Sequence, residues 1–356
     1  MRVRGRRAVL DATRHPPVVV GRLVAGRTTK RLVRCLRPGD VAVIDHADVD
    51  ALSADALVEA GVAAVVNLAP SLTGRYPATG ARRLLAAGVP VLDVPDGAAD
   101  ALRHHLDPGQ DRPDHPLARL EGERLTVDGD VAVGRLLTAQ ALEAGLAAAR
   151  ARAGTELEGF ARNTLRFLHE EQDLLVAPLD LPPLRTRVGG RPVLVVVRGP
   201  GHRADLAALS WFVRERDPVL LGVDGGADAL LEAGHRPDLV VGDMDSVSDT
   251  ALAAAGEVVV HAYRTGEAPG RDRVRALGLP DPLLFPMTGT SEDAALLLAH
   301  GLGASLLVAV GSRTSLDEFL DKGRAGMAST FLTRLRVGDR LVDAKGLSWL
   351  SQPGPP

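Results

Sequence analysis

Residues 220–249 constrain the fold of this chain most, and they read LLGVDGGADALLEAGHRPDLVVGDMDSVSD. An apolar run ends at residues 224–226, a helical pattern follows as far as Ala233, and a second apolar run ends at Gly242. Two short apolar runs joined by a helix are typical of a βαβ unit, whose strands are parallel. We therefore expect the polar residues after both runs at the carboxyl-terminal edge of a sheet, where open α/β folds bind ligands.

Both polar loops carry residue types that suit a phosphate and its metal ion. Gly225 and Gly226 lack a Cβ atom, so a ligand could approach their backbone, and the helix that follows offers N–H groups and a positive dipole end. Asp243 and Asp245 stand two residues apart, and their hard oxygens suit Mg²⁺ that carries phosphate oxygens. Either motif alone is more often a turn or a solvated loop. Together they predict a phosphate–metal site.

The sequence TGTSED at residues 288–293 precedes an apolar helical pattern and allows two interpretations. Thr290 or Ser291 would cap the helix, and Asp293 would lie at its positive end. This capping role is sufficient to explain the residue types. The functional alternative places Glu292 and Asp293 at the same metal ion as the two loop carboxylates, which gives a predicted metal set of Asp243, Asp245 and Asp293.

Basic residues in the same half of the chain are candidates for phosphate binding. Arg198 follows an apolar run and would either contact a phosphate or form a structural salt bridge. Lys322 and Arg324 lie in a helical pattern at residues 316–335, beside two glycines. The full set that we assign to nucleotide or diphosphate binding is Arg198, Asp224, Gly225, Gly226, Asp228, Ser246, Thr290, Ser291, Arg313, Lys322 and Arg324.

The first half of the chain shows a second alternation of strand and helix patterns, which predicts another mainly parallel sheet. The apolar run at residues 41–44 ends at Asp45 and His46. A histidine with an adjacent carboxylate can act as a general base, although such a pair is more often a turn with local hydrogen bonds. With Arg75, these two residues are our catalytic candidates.

The predicted fold class is therefore α/β, with two domains that each contain a mainly parallel sheet and are joined by long helices. The predicted segments are a basic flexible arm (1–30), an N-terminal α/β domain (31–133), connecting helices (134–177), a proline- and glycine-rich linker (178–192), a nucleotide-binding domain (193–346) and a tail (347–356). Long helices often pair, which leaves a homodimer open beside packing within one chain.

Composition excludes several classes of protein and ligand. The 356 residues include 42 basic and 45 acidic side chains, for a net charge of −3, so we expect no nucleic-acid partner. A single cysteine, Cys35, excludes an internal disulfide and indicates a reducing compartment. No apolar run reaches the roughly 18 residues that span a membrane, so we expect a cytoplasmic protein.

Several blocks of the sequence resemble known families. VDGGAD, RPDLVVGDMDS and TSEDAALLL are similar to the nucleotide-binding core of thiamine pyrophosphokinase. A wider resemblance is to the SteA family of actinobacterial cell-division proteins, through TTK, RPGDVAVIDHADVD, VVNLAPSLTGRYPATG, VGDMDSVSD, EFLDKGRAGMASTFLTRLRVG and LVDAKG. The resemblance implies a thiamine-pyrophosphokinase-like C-terminal domain that binds Mg²⁺ with ATP or another nucleotide or diphosphate.

The SteA resemblance also implies a biological role and a partner. It implies action in cell separation at the division septum, through a septal membrane partner protein and an indirect effect on peptidoglycan cleavage. Members of that family usually carry a membrane segment after the LVDAKG block, whereas this chain stops at Pro356. We therefore expect either a trimmed chain or a soluble variant.

Departures from thiamine pyrophosphokinase argue against thiamine as the substrate. Thr290 stands where the D-x-T-D sequence of that family has its first aspartate, and residues 313–315 replace its arginine–aspartate–histidine signature. The β-sandwich that forms the thiamine site is also missing. The alternative to a regulatory role is an ATP-dependent pyrophosphokinase that acts on an unknown hydroxyl acceptor, and a third reading is a nucleotide sensor without turnover.

Overall fold

The computed structural model describes residues 18–26, 29–33, 35–74, 78–94, 115–312 and 326–350. These residues form two compact units, one running up to Glu158 and the other starting at Gly159, and each unit contains its own sheet. Among the described residues, no helix is both long enough and apolar enough to cross a bilayer.

The first unit is built on an eight-stranded sheet with the order β7-β6-β5-β1-β2-β3-β4-β8. Its strands are β1 (Val18–Ala25), β2 (Val41–Ile44), β3 (Ala64–Asn67), β4 (Val91–Asp93), β5 (Leu117–Glu121), β6 (Arg124–Val127), β7 (Asp130–Val133) and β8 (Arg135–Leu136). Its helices are Thr29–Leu32, Ala51–Glu59 and Gly80–Ala86, and the helix Ala139–Glu170 begins in this unit.

The prediction of a mainly parallel sheet is wrong for this unit. Strands β1 to β4 are parallel neighbours, but β5, β6 and β7 add antiparallel pairs on one side and β8 adds another. The reason is local, because two-residue turns join β5 to β6 and β6 to β7 and leave no room for a crossover helix. In the second turn Asp128 and Gly129 have φ values of 48° and 95°, as a tight hairpin requires.

Strand β1 corrects the predicted flexible arm for residues 18–25, whereas residues 1–17 of that arm lie outside the described part of the chain. Its first residues pair with β5 and its last with β2, so it lies in the middle of the sheet. Arg22 belongs to the predicted basic arm. In the structure it donates from Nε and Nη2 to the carboxylate of Asp40 at 2.9 and 2.7 Å. The apolar residues of VVVGRLVA explain the strand, since Leu23 and Val24 are buried in the core.

The second unit contains a seven-stranded, fully parallel sheet with the order β13-β12-β11-β10-β9-β14-β15. Its strands are β9 (Pro192–Val197), β10 (Val219–Val223), β11 (Leu239–Gly242), β12 (Glu257–Ala262), β13 (Leu283–Pro286), β14 (Leu306–Val310) and β15 (Leu341–Asp343). Its helices are Asp173–Val176, His202–Ala208, Ser210–Arg216, Gly226–Glu232, Asp249–Ala254, Pro269–Ala276, Ser291–Gly301, Gly326–Val337 and Leu347–Leu350, with a short 3₁₀ turn at Gly338–Arg340.

The predicted βαβ unit is confirmed at the centre of this sheet. Strand β10, the helix Gly226–Glu232 and β11 follow one another, and Val223 pairs with Val241 in parallel register. Apolar side chains cover both faces, which is why these strands read as unbroken runs of valine and leucine.

The segment predicted as a linker packs onto the second unit. Leu179, Leu181 and Leu184 lie against its core, and Val188 is buried within it. Glu257 at the start of β12 accepts hydrogen bonds from the backbone N–H of Arg185 at 2.9 Å and of Thr186 at 2.6 Å. Its prolines prevent regular structure, but its spaced leucines and these bonds attach it to the sheet.

Candidate functional site

The carboxyl ends of β10 and β11 meet at one edge of the second sheet. The two strands are direct neighbours, and Asp224 follows the first as Asp243 follows the second. This places the glycine turn and the acidic loop of the central motif side by side, as the sequence predicts. We refer to residues 243–246 as the acidic loop.

Asp224 stabilises the acidic loop through a hydrogen bond to its backbone. Its side chain is buried, and its Oδ1 accepts a hydrogen bond from the backbone N–H of Met244 at 3.0 Å. A Cβ atom on Gly242 would lie 2.5 Å from Asp224 Oδ2, so only glycine lets the carboxylate cross that strand end. Met244 has a φ of 65° and is fully buried, and it anchors the turn of the loop. Asp224, assigned to the ligand from the sequence, thus shapes the loop backbone.

Arg273 holds the acidic loop from the other side and was missed by sequence reasoning. It lies on the helix Pro269–Ala276 and donates to the carbonyl oxygen of Met244 and, at 2.8 Å, to that of Val247. It also forms an ion pair with Asp249 at 2.6 Å. The sequence signal was weak, because Arg273 stands in an arginine-rich segment with no motif around it.

Asp243 and Asp245 remain exposed on this fixed loop. The backbone N–H of Asp245 donates to Asp243 Oδ1 at 2.9 Å, which orders the turn between them. Mg²⁺ is usually bound through one or two carboxylates, several waters and the phosphates of its substrate. Two exposed carboxylates at a strand end fit that pattern.

The glycine turn is close-packed by the chain itself. A Cβ atom on Gly226 would overlap the Val196 carbonyl group, lying 2.7 Å from its carbon, and one on Gly225 would lie 3.1 Å from Ser246 O and 3.2 Å from Arg198 Cδ. The glycines therefore allow the helix to approach β9, which is a structural reason for both. They also bring Arg198, Gly225 and Ser246, three residues of the predicted ligand set, close together.

Two further residues of the predicted ligand set are engaged in the structure. Asp228 accepts a hydrogen bond from the Ser248 backbone N–H at 3.1 Å, and thereby joins the first helical turn to the segment after the acidic loop. Arg198 lies 3.8 Å from Glu232 in an ion pair whose side chains are both about half exposed. A long, exposed pair of this kind contributes little to stability.

Asp293 caps a helix in the structure. Its Oδ2 accepts from Thr290 N at 2.8 Å and Oγ1 at 2.9 Å, and Thr290 Oγ1 in turn accepts from Asp293 N, forming a capping box. Thr330 Oγ1 donates to the same oxygen at 2.9 Å. Over the described ranges, no group of three or more His, Cys, Asp or Glu side chains could hold a metal ion. The structure therefore does not bring Asp293 together with Asp243 and Asp245 in one such group.

Burial governs the chemistry of Asp293. Its side chain is fully buried, and this burial raises the pKa of the carboxyl to about 6, against the hydrogen bonds from Thr290 and Thr330 that lower it. Among the residues that the structure describes, none forms a hydrogen bond with Oδ1. Glu292, the other acidic residue of this helix start, forms an ion pair with Arg334 at 3.4 Å, and Ser291 is the first residue of the helix.

Four predicted residues lie outside the described part of the chain. They are Arg75, Arg313, Lys322 and Arg324.

The catalytic candidates of the first unit pair differently from the prediction. His46 Nε2 lies 3.5 Å from Asp50 Oδ2, and its Nδ1 lies 3.4 Å from Thr29 Oγ1. Asp50 is also the N-cap of the helix Ala51–Glu59, so this carboxylate is fixed in place. Asp45, the predicted orienting residue, has an exposed side chain. A carboxylate four residues further along the chain, that of Asp50, thus faces the imidazole.

Comparison with known proteins adds one informative similarity. No protein-family model matches the sequence. The chain is 27% identical over 217 residues to the 6-hydroxymethyl-7,8-dihydropterin pyrophosphokinase of Methanothermobacter thermautotrophicus, and the alignment covers 53% of this chain and 83% of that protein. A solved structure of a 3-isopropylmalate dehydratase (LeuD) from Methanocaldococcus jannaschii matches 39% of this chain and 96% of its own, at 12% identity and a TM-score of 0.23, a value too low to support an argument. The chain is thus similar to a pyrophosphokinase over about half its length.

Proposed function

We propose that the second unit binds a Mg²⁺–nucleotide, with ATP as the first candidate, and transfers its pyrophosphoryl group to a hydroxyl acceptor. The observation that carries the proposal is the acidic loop. It is held by Asp224 and Arg273 and presents Asp243 and Asp245 at the carboxyl edge of a parallel sheet. The similarity to a pyrophosphokinase supports the same reaction class.

The proposed reaction assigns separate tasks to the metal ion and to the chain. The acceptor oxygen attacks the β-phosphorus of ATP, the bond from that phosphorus to the α,β-bridging oxygen breaks, AMP leaves, and the proton of the hydroxyl passes to water. Bound Mg²⁺ would neutralise charge on the phosphate oxygens. Asp243 and Asp245 would hold the ion, and Arg198 beside Gly225 would provide a cation for the phosphates.

The identity of the acceptor alcohol is a separate part of the proposal. The name of the similar protein makes 6-hydroxymethyl-7,8-dihydropterin the first alcohol to test. Thiamine is disfavoured, because Thr290 replaces an acidic residue and the arginine–aspartate–histidine signature is missing.

One assay tests the reaction and both acceptors. The full chain is incubated with ATP, Mg²⁺ and either 6-hydroxymethyl-7,8-dihydropterin or thiamine, and AMP and the diphosphate product are measured by chromatography and mass spectrometry. We expect AMP that depends on the pterin and is lost in Asp243→Asn, and no thiamine diphosphate above the no-enzyme control. Absence of pterin-dependent AMP, together with no calorimetric heat for ATP with or without Mg²⁺, would refute the proposal.

A role in cell separation is a second proposal, and it is supported by the ordered SteA-like sequence blocks alone. In that proposal nucleotide binding regulates a septal membrane partner and, through it, peptidoglycan cleavage. A fluorescent fusion expressed in the source organism tests it. We expect enrichment at division septa, and an even distribution in dividing cells would count against the role.

A further inference from the structure

His261 lies at the same sheet edge as the acidic loop, and neither the sequence motifs nor the proposed metal site accounts for it. It is the penultimate residue of β12, which lies between β11 and β13. Gly242 pairs with Val260, so the next residues along the two strands, Asp243 and His261, are neighbours at the strand ends. On the other side, His261 pairs with Phe285 of β13.

One hydrogen bond fixes which ring nitrogen of His261 carries the proton. Nε2 lies 3.1 Å from the carbonyl oxygen of Met287. Because a carbonyl oxygen only accepts, Nε2 must be the protonated nitrogen. Burial lowers the pKa of the imidazole, more than the Met287 carbonyl and the Asp243 carboxylate raise it. With the proton on Nε2, the neutral form of the ring presents a lone pair at Nδ1.

The second ring nitrogen, Nδ1, is the one that a ligand could use. His261 is only partly buried, and within the described part of the chain Nδ1 has no hydrogen-bond partner. It also lies near the negative charge of Asp243. An uncharged acceptor beside a carboxylate complements a ligand O–H or N–H group, whereas an ionised phosphate offers no donor to it.

We propose that His261 Nδ1 accepts a hydrogen bond from the hydroxyl group of the acceptor substrate and so helps to select that substrate. This inference rests on the proposed pyrophosphoryl transfer. It places the acceptor over the ends of β12 and β13, next to the diphosphate on the acidic loop. The transferred group would then lie between Asp243 and His261, which are neighbours across the two strands.

The competing explanation for His261 is purely structural, namely that its hydrogen bond to Met287 connects β12 to the segment after β13. Two substitutions separate the explanations, because each preserves one of the two ring nitrogens. The amide of His261→Gln reaches as far as Nε2 and can still donate to Met287 O, but it leaves no acceptor at the Nδ1 position. His261→Asn places its amide oxygen where Nδ1 was and loses the bond to Met287.

The measurement is calorimetric titration of the full chain. Mg²⁺ and α,β-methylene-ATP, whose α,β bridge cannot be cleaved, are bound first, and 6-hydroxymethyl-7,8-dihydropterin is then titrated. We expect His261→Gln to weaken pterin binding roughly tenfold, the upper range for one lost hydrogen bond. His261→Asn should remain within about threefold of the unmodified chain. His235→Gln, which precedes β11 at the opposite edge of the sheet, should bind as the unmodified chain does.

The outcomes also separate this inference from the proposed function. If the unmodified chain fails to bind the nucleotide analogue, the proposed function fails. Two results would overturn the assignment of His261 while the nucleotide analogue still binds equally to all variants. One is that the pterin does not bind, and the other is that it binds to His261→Gln as tightly as to the unmodified chain. Weaker pterin binding in His261→Asn than in His261→Gln would likewise show that the bond to Met287, and not Nδ1, matters.

Discussion

Replacing Gly226 with alanine tests whether the glycine turn serves the ligand or the fold. The added Cβ atom would overlap the Val196 carbonyl group and lie 2.7 Å from its carbon. That carbonyl belongs to β9, which is paired on both sides with β10 and β14. It therefore cannot rotate away as a flexible side chain would, and the helix must move instead.

The expected cost follows from two opposing effects. Overpacking against a fixed neighbour costs about 1–3 kcal/mol, and a backbone partner places this site at the upper end. Removing a glycine from a helix returns about 0.5–1 kcal/mol. We therefore expect a net loss of roughly 2 kcal/mol in the free energy of unfolding, which lowers the melting temperature by roughly 4–8 °C in a domain of this size.

Thermal and urea unfolding of three alanine variants provide the assay. Gly225→Ala should be intermediate, because its Cβ would lie 3.1 Å from Ser246 O, and Gly338→Ala should be neutral, because nothing lies within 4 Å of its Cβ. If Gly226→Ala were as stable as Gly338→Ala and yet failed to bind Mg²⁺–ATP, the glycine would serve the ligand and the packing argument would be refuted.

Two further predictions concern the carboxylates. Asp243→Asn and Asp245→Asn should each weaken Mg²⁺-dependent nucleotide binding in calorimetry. The melting temperature of the ligand-free protein should stay within about 2 °C, since exposed loop substitutions cost at most about 0.5 kcal/mol. A much lower melting temperature in either variant would show that the carboxylate stabilises the fold. Asp293 has a folded-state pKa raised to about 6 from 3.8, so its contribution to stability is full below about pH 3.8 and is lost as pH rises through about 6. Urea unfolding between pH 4 and 7 should show Asp293→Asn gaining up to roughly 3 kcal/mol relative to the unmodified chain, and a constant difference would contradict the assignment.

The second unit was the more predictable half of the molecule, and the reason is physical. A strand buried on both faces between helices gives an unbroken apolar run such as residues 239–241, with glycine or aspartate at its end. Such a run fixes both the strand and the edge where its loop emerges. The neighbouring positions of Asp224 and Asp243 therefore followed from the sequence.

The first unit was less predictable because its antiparallel strands expose one face. In β1 only Leu23 and Val24 are buried, directly after Arg22, and in β5 every second residue is exposed. A flexible basic arm and a solvated strand can share this composition. The partner of Arg22 is Asp40, which is 18 residues away, and no local pattern identifies such a pair.

Side-chain roles were harder to predict than positions. The motif placed Asp224 correctly, but its bond to Met244 depends on the φ of 47° at Asp224 and on the glycine at residue 242. Arg273 and His261 act on the same edge from elements without a recognisable motif. Their roles depend on strand register and helix packing, which only the folded chain specifies.

The capping of Asp293 has a consequence for how the metal ion must bind. One of its oxygens already accepts three hydrogen bonds, and its side chain is fully buried at the start of the helix. The carboxylates left for the ion are Asp243 and Asp245, both exposed to water that competes for them. Mg²⁺ favours six oxygen ligands and gives up its waters reluctantly. Two solvated carboxylates therefore hold it weakly, and phosphate oxygens must complete its shell. If the second unit binds Mg²⁺ as proposed, we therefore expect its metal affinity to depend on the nucleotide, with the ion arriving as part of the ligand rather than before it.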